Sequence, residues 1–254
     1  MADEILSERH AHVEVLTINR PEARNAINRA TALALEAALE AAESDEDVGV
    51  IVLTGAGDKA FSAGMDLKAF AAGEVPITEH GFAGITNRTL VKPLICAANG
   101  SALAGGFEIM LSCDMVIAAG HAVFGIPEAT RGLIAGGGGL IRLPKRVPPA
   151  VAYEMALTGD PVSATRAYEL GLVNAVVASE SVLAGALALA ERIAANAPLA
   201  VRESKRVMRE ARELNEAEAW SVSDVAFRMI GQSADALEGA LAFAQKRSPV
   251  WSGQ

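Results

Sequence analysis

Residues 99–108 read Asn99-Gly100-Ser101-Ala102-Leu103-Ala104-Gly105-Gly106-Phe107-Glu108, and the reading of this stretch decides the fold. Before it, Pro93 to Ala98 (PLICAA) is a continuous apolar run, the pattern of a strand buried on both faces. Asn99-Gly100 turns the chain, and Gly105-Gly106 opens a short apolar helix that runs to about Ser112. Glycine at a helix start lets a ligand or another backbone approach closely. The free N–H groups there, with the helix dipole, suit a developing negative charge. The same glycines fit an ordinary tight packing contact equally well. Glu108 lies among Phe107, Ile109, Met110 and Leu111, where a carboxylate is costly unless it is paired or faces a wet cleft.

Outward from this segment the chain alternates strands and helices. His12 to Asn19 alternates and is β-branched, so it reads as a strand. Asn28 caps a long Ala/Leu helix to about Ser44, and Val48 to Thr54 is a second buried strand. Gly55 to Gly64 reads as a glycine-rich loop, and residues 71–88 as a loop with short helical pieces. Met115 to Ala118 and Ala122 to Phe124 read as strands, and Pro127 to Thr130 as a helical turn. Gly136 to Gly139 leads into a helix, Pro149 to Leu157 is a helix stopped by Gly159, and Ser163 caps the next, which Gly171 stops. Leu172 to Val177 is the last strand expected. Beyond Glu180 only helices follow, at about 182–195, 198–213, 215–230 and 234–246. The pattern is an α/β core followed by a helical tail.

The chain has 254 residues and a formal net charge of −9, from 22 Lys+Arg against 31 Asp+Glu. That balance disfavours nucleic acid as a partner, because phosphate binding relies on many cations. It leaves room for one small anionic ligand held by a few local cations. The two cysteines, Cys96 and Cys113, lack metal-ligand spacing and sit in apolar runs, so they read as buried thiols. The N-terminus lacks a hydrophobic signal core, and no apolar run reaches the roughly 20 residues of a bilayer span, so a cytoplasmic protein without a membrane partner is expected.

Two further segments could carry chemistry. Gly55-Ala56-Gly57-Asp58-Lys59-Ala60 fits a loose dinucleotide-binding pattern, but Phe61-Ser62-Ala63-Gly64 continues as loop where a helix is required. In Phe124-Gly125-Ile126-Pro127-Glu128, proline followed by glutamate is an ordinary helix start. Glu128 matters only if the fold brings it to Glu108. Two carboxylates near one set of backbone donors could then share acid/base work on a substrate whose anion the donors hold.

Together these segments resemble the crotonase, or enoyl-CoA hydratase/isomerase, superfamily. The resemblance rests on Asn19-Arg20-Pro21 with Asn25-Ala26, on Lys59 through Leu67 (KAFSAGMDL), and on Asn99 through Glu108. Cys113-Asp114, Phe124 through Glu128, Glu238-Gly239 and Ala242 through Arg247 (AFAQKR) complete it. It implies a spiral of ββα units over residues 1–195, carrying an acyl-CoA site, and a helical oligomerisation region over 196–254. It implies a homotrimer or a dimer of trimers, acting on acyl-CoA thioesters, with coenzyme A as part of the substrate, no separate cofactor and no metal. The backbone N–H groups of Met65 and Gly105 would form an oxyanion hole. Glu108 would activate water for attack at C3, and Glu128 would exchange the proton at C2. Arg24, Ala26, Ala63, Gly64, Asp66 and Leu67 would line the CoA strip, with Phe243 and Lys246 reaching the adenosine end. Having both acids favours an enoyl-CoA hydratase of the β-oxidation type. Gly81 through Gly84 (GFAG), Arg142 through Lys145 (RLPK) and Pro148-Pro149-Ala150 look more like the carnitinyl-CoA dehydratase branch, which uses both acids as well.

The remaining alternatives are a double-bond isomerase on the same scaffold, a serine hydrolase, and an RNA-binding relative. A hydrolase would use Ser101, His121 and Asp114, but Ser101 lacks the G-x-S-x-G elbow. Residues 202–212 (RESKRVMREAR) are basic, but interleaved glutamates read as a solvated, ion-paired helix.

Overall fold

The structure, a computed structural model, describes residues 3–254. Two antiparallel strands open it, β1 (Ile5–His10) and β2 (Val13–Ile18), followed by α1 (Arg29–Ser44). Asn28 caps α1 as expected, its side chain accepting from Thr31 N. Then come β3 (Val50–Gly55), β4 (Ala60–Ser62), α2 (Leu67–Ala71) and a two-residue hairpin, β5 (Ile77–Thr78) with β6 (Gly81–Phe82). The next unit is β7 (Leu94–Ala98), β8 (Ser101–Leu103) and α3 (Gly105–Ser112). It is followed by β9 (Met115–Ala119), β10 (Val123–Gly125), a 3-10 turn (Pro127–Arg131) and α4 (Gly139–Arg142). α5 (Pro149–Thr158), β11 (Val162–Ser163), α6 (Ala164–Glu169) and β12 (Ala175–Val177) close the α/β part. Four helices end the chain: α7 (Val182–Ala194), α8 (Pro198–Ala211), α9 (Glu216–Gly231) and α10 (Ala234–Gln245).

The strands sort into a six-stranded sheet, β1-β2-β3-β7-β9-β12, and a four-stranded sheet, β11-β10-β8-β4. In each strand pair β3/β4, β7/β8 and β9/β10, the first member enters the large sheet and the second enters the small one. The order β4-β8-β10 therefore shadows β3-β7-β9, which is the spiral of ββα units expected. Both series pair in parallel. Every residue of β3 and β7 is buried, as their unbroken apolar runs require. α7 covers the large sheet over β3, β7 and β9. Both cysteines are free and buried.

Several elements differ from the sequence reading. β1 was not expected, because four of its six residues are exposed, three of them polar, and an edge strand needs no apolar alternation. β4 and β8 lie in stretches that read as loop or turn; at three residues each they are too short to show a period. Residues 71–88 hold the β5–β6 hairpin instead of helical pieces. The hairpin hangs on α1 through side chains: Thr78 Oγ1 donates to Glu36 Oε1 at 2.6 Å, and His80 Nδ1 lies 2.7 Å from the same oxygen. The last strand begins only at Ala175, since Leu172 and Val173 pack in the core before it.

Candidate active site

Segments 24–27 and 62–66 are laced together. Ile27 N donates to Gly64 O at 2.8 Å, Asp66 N to Ile27 O at 2.9 Å, and Ala63 N to Arg24 O at 3.0 Å. Arg24 and Asn25 adopt left-handed backbone, with φ of 53° and 54°. Asn25 holds that turn. Its Nδ2 donates to Ala56 O and Ala60 O at 2.9 and 2.8 Å, and its Oδ1 accepts from Arg20 N at 3.0 Å. Met65 N, between the two laced donors, reaches no acceptor among the described residues.

Gly105 N, at the start of α3, likewise reaches no acceptor among the described residues. A side chain at Gly64 would stand 2.7 Å from Gly105 N, so the two segments carrying these free donors meet. Ala104 sets the angle between β8 and α3 with φ 52°, a conformation costing an alanine of order 1–3 kcal/mol. A Cβ at Gly106 would fall 2.0 Å from Ser62 O, so α3 lies directly on β4. The Phe82 ring, from the small hairpin, stands where a Cβ of Gly105 would be.

Glu108 follows Gly105 by three residues, roughly 4.5 Å along the helix axis. It is 3% exposed. Gly139 N donates to its Oε1 at 2.8 Å. Burial pushes the Glu108 carboxyl above its ordinary value; the neighbouring charge of Glu128 adds to this, and the Gly139 and Gly137 N–H groups and Arg142 oppose it. Arg142 in turn donates from Nη1 to Gly137 O at 3.1 Å and from Nη2 to Thr86 O. Glu128, half-buried on its 3-10 turn, has a buried Oε2 with no partner among the described residues. Burial raises its carboxyl too.

All of this opens on one cleft of about 1920 Å³. Glu108, Glu128, Met65 and Gly105 line it, as do Arg24, Ala63 and Leu67. Ala26, Gly64 and Asp66 back that wall without lining it. Asp66 is occupied elsewhere: Oδ1 caps α2 and Oδ2 accepts from Arg20 at 3.0 Å. Phe243 and Lys246, at the end of α10, are exposed and lie away from the cleft; Phe243 is 88% exposed. The sequence reading gave no role to Arg142 or Phe82, and it took the 136–139 glycine run as the lead into a helix and not as a donor to Glu108. The run of four glycines itself was the available signal.

The competing constellations do not assemble. His121 is bound to Ser179 Oγ and Asp58 O, both at 2.8 Å, while Asp114 pairs with Lys205 at 2.7 Å. The segment from Gly55 passes into β4 and not into a helix. Arg206 is paired with Glu203 and Glu210 along α8. Among the described residues no single helix is long and apolar enough to cross a membrane.

Residues 8–254 match the family model described as enoyl-CoA hydratase/isomerase. The chain belongs to this family. A carnitinyl-CoA dehydratase of Salmonella arizonae is 41% identical over 261 residues, with all of both chains covered. An enoyl-CoA hydratase from Mycobacterium tuberculosis superposes with TM-score 0.96 at 47% identity, covering 99% of this chain and 100% of that one. A carnitinyl-CoA hydratase from Mycobacterium avium superposes with TM-score 0.80 at 46% identity, with both chains fully covered. The family and these relatives indicate an enzyme of the hydratase/dehydratase type.

Proposed function

We propose that this enoyl-CoA hydratase/isomerase family member adds water reversibly across the C2=C3 double bond of an acyl-CoA thioester. One observation carries the reading: a buried and a half-buried carboxyl, both with raised affinity for protons, share a cleft with two unbonded backbone N–H groups. The N–H groups of Met65 and Gly105 would hold the thioester oxygen as negative charge builds on it. Losing one such donor typically costs about 3 kcal/mol of transition-state stabilisation. Glu108, one helical turn from Gly105, would take the proton of the attacking water at C3. Glu128 would deliver the proton to C2. Burial suits both, since a carboxyl whose pKa moves toward neutrality exchanges protons more readily at working pH.

A carnitinyl-CoA-type dehydratase, running the same step in the other direction, is the second reading. The Salmonella arizonae relative supports it. An isomerase would use the same acids without water. Loss of conjugated-thioester absorbance from crotonyl-CoA, with oxygen taken up from labelled water, tests the first reading. Turnover without label would replace it by the isomerase.

The same reading takes the protein to be a cytoplasmic trimer or pair of trimers. Exposed apolar side chains on the last two helices, Trp220, Phe227 and Phe243, support a partner surface. In such an assembly Phe243 and Lys246 would reach the adenosine of a bound acyl-CoA from a neighbouring copy. Light scattering of the purified protein tests the assembly, and a monomer at micromolar concentration would refute it.

A further inference from the structure

The glycine run before α4 lies between two charges. A Cβ at Gly137 would stand 2.7 Å from Glu108 Oε2, and one at Gly139 would stand 3.1 Å from Glu108 Oε1. Gly139 N supplies the acid's hydrogen bond, at 2.8 Å. At Gly138, between them, a Cβ would meet Arg142 Nη1 instead, at 2.1 Å. Gly138 is left-handed, with φ 96°, and caps the start of α4. The Arg142 guanidinium therefore folds back over the first turn of its own helix, onto the run that holds Glu108.

The two ends of that guanidinium grip different segments. Nη1 donates to Gly137 O at 3.1 Å, and Nη2 donates to Thr86 O. Thr86 is buried, and its N donates to Phe82 O at 3.2 Å. The fork thus joins the glycine run to the segment whose Phe82 ring lies against Gly105. A planar guanidinium makes two such bonds in fixed relative directions, which a single ammonium does not. Both acceptors are neutral carbonyls, and among the described residues Arg142 forms no ion pair. Its charge acts on Glu108 from outside hydrogen-bonding reach. Burial pushes the Glu108 carboxyl up, Glu128 on its 3-10 turn adds to the rise, and Arg142 opposes it. Cys113 and Arg146 are the other ionisable neighbours of Arg142. The strands packed on α3, β4 and β8, carry no ionisable side chain.

We propose that Arg142 is a positioning residue for Glu108: its fork fixes the glycine run that carries the acid's hydrogen-bond donor, and its positive charge lies near the acid without binding its oxygens. The role rests on Glu108 acting as the base of the proposed hydration. A base must be both aimed at its proton and ionised, and Arg142 serves the two needs through separate parts of one side chain. An opposite charge nearby favours the carboxylate form.

The test separates fork from charge. Protein labelled with carbon-13 at the glutamate carboxyls lets NMR follow the Glu108 titration without substrate, its signal being the one absent from Glu108→Gln. Steady-state kinetics on crotonyl-CoA over a range of pH runs beside it. Arg142→Met is expected to move the Glu108 titration to higher pH and to carry the acid limb of kcat with it. It is also expected to lower kcat about 100-fold, the usual cost of misplacing a reacting group by about an ångström, with KM changed far less. Arg142→Lys keeps the charge but not the fork, so it should titrate close to wild type and recover only part of kcat. A Glu108 titration that does not move in Arg142→Met would overturn the proposal, whatever that variant's stability. Full kcat in Arg142→Lys would overturn it too, and decides the matter if Arg142→Met does not fold. Failure of the hydratase reading would look different: crotonyl-CoA would persist with the wild-type protein, while the NMR comparison would still stand.

Discussion

Gly139 N donates to Glu108 Oε1 at 2.8 Å, tying the buried acid of α3 to the glycine run that precedes α4. The contact leaves no room beside it. A Cβ at Gly137 would stand 2.7 Å from Glu108 Oε2. Gly137→Ala is therefore expected to leave the protein folded but to displace the carboxylate. Misplacing a reacting group by about an ångström costs on the order of 100-fold in rate. Steady-state kinetics beside a thermal melt measures both effects, and an unchanged kcat would show that the carboxylate position is not critical.

Glu108→Gln and Glu128→Gln keep the shape of the site and remove its proton chemistry. Each is expected to lower kcat for hydration about 100- to 10,000-fold. Substrate binding, followed with a saturated thioester, should change far less. Wild-type turnover in either variant would remove that residue from the mechanism.

Both acids also carry a stability signature. Burial raises each carboxyl above the ordinary glutamate value of 4.5. Between the unfolded and the raised folded pKa the native state binds more protons, so stability falls as pH rises through that window. The penalty is absent below the unfolded pKa and complete above the folded one. Glu128→Gln should therefore melt higher than wild type at pH 8, with the gap closing toward pH 4. A gap that widens on acidification would reverse the assignment.

Two glycines separate packing from flexibility. Gly106→Ala would drive a Cβ to 2.0 Å from Ser62 O, a backbone atom that cannot swing away, so a loss of about 3 kcal/mol or more is expected. Gly136 has nothing within 4 Å and no positive φ. Gly136→Ala should stay within about 0.5 kcal/mol of wild type. Urea denaturation of the two variants makes the comparison.

Asn25 is 1% exposed, left-handed and bonded through both ends of its amide. Asn25→Ala would leave Ala56 O, Ala60 O and Arg20 N to find other partners. Unmet buried polar groups cost about 1–3 kcal/mol each, so a fall of several kcal/mol in unfolding free energy is expected. Asn25→Asp, which cannot donate to the two carbonyls, should not rescue it.

The sequence made the site's first halves legible. The buried runs of β3 and β7 and the capped start of α1 each have one physical reading, and the glycines before Phe107 have two, both of them a close approach to the helix start. Glu108 and Glu128 did not: each alone is an ordinary solvated or capping acid. Only the parallel pairing of β8 with β10 brings their segments together, and such pairing leaves no local trace. Arg142 was illegible for the same reason. A guanidinium that spans Gly137 and Thr86 is a property of three-dimensional neighbours.

The hairpin that hangs on Glu36 divides the labour in this molecule. The free N–H groups of Met65 and Gly105 come from segments held by backbone hydrogen bonds and close backbone packing. Phe82 comes from a stretch fastened to the body by the Glu36 side chain, by Arg142 and by the burial of Phe82, Ala83 and Ile85 in the core. On the proposed function, a change at Phe82, whose ring lies against Gly105, would reshape the acyl site without moving the backbone donors. Substrate choice and chemistry would then be housed in different parts of one chain.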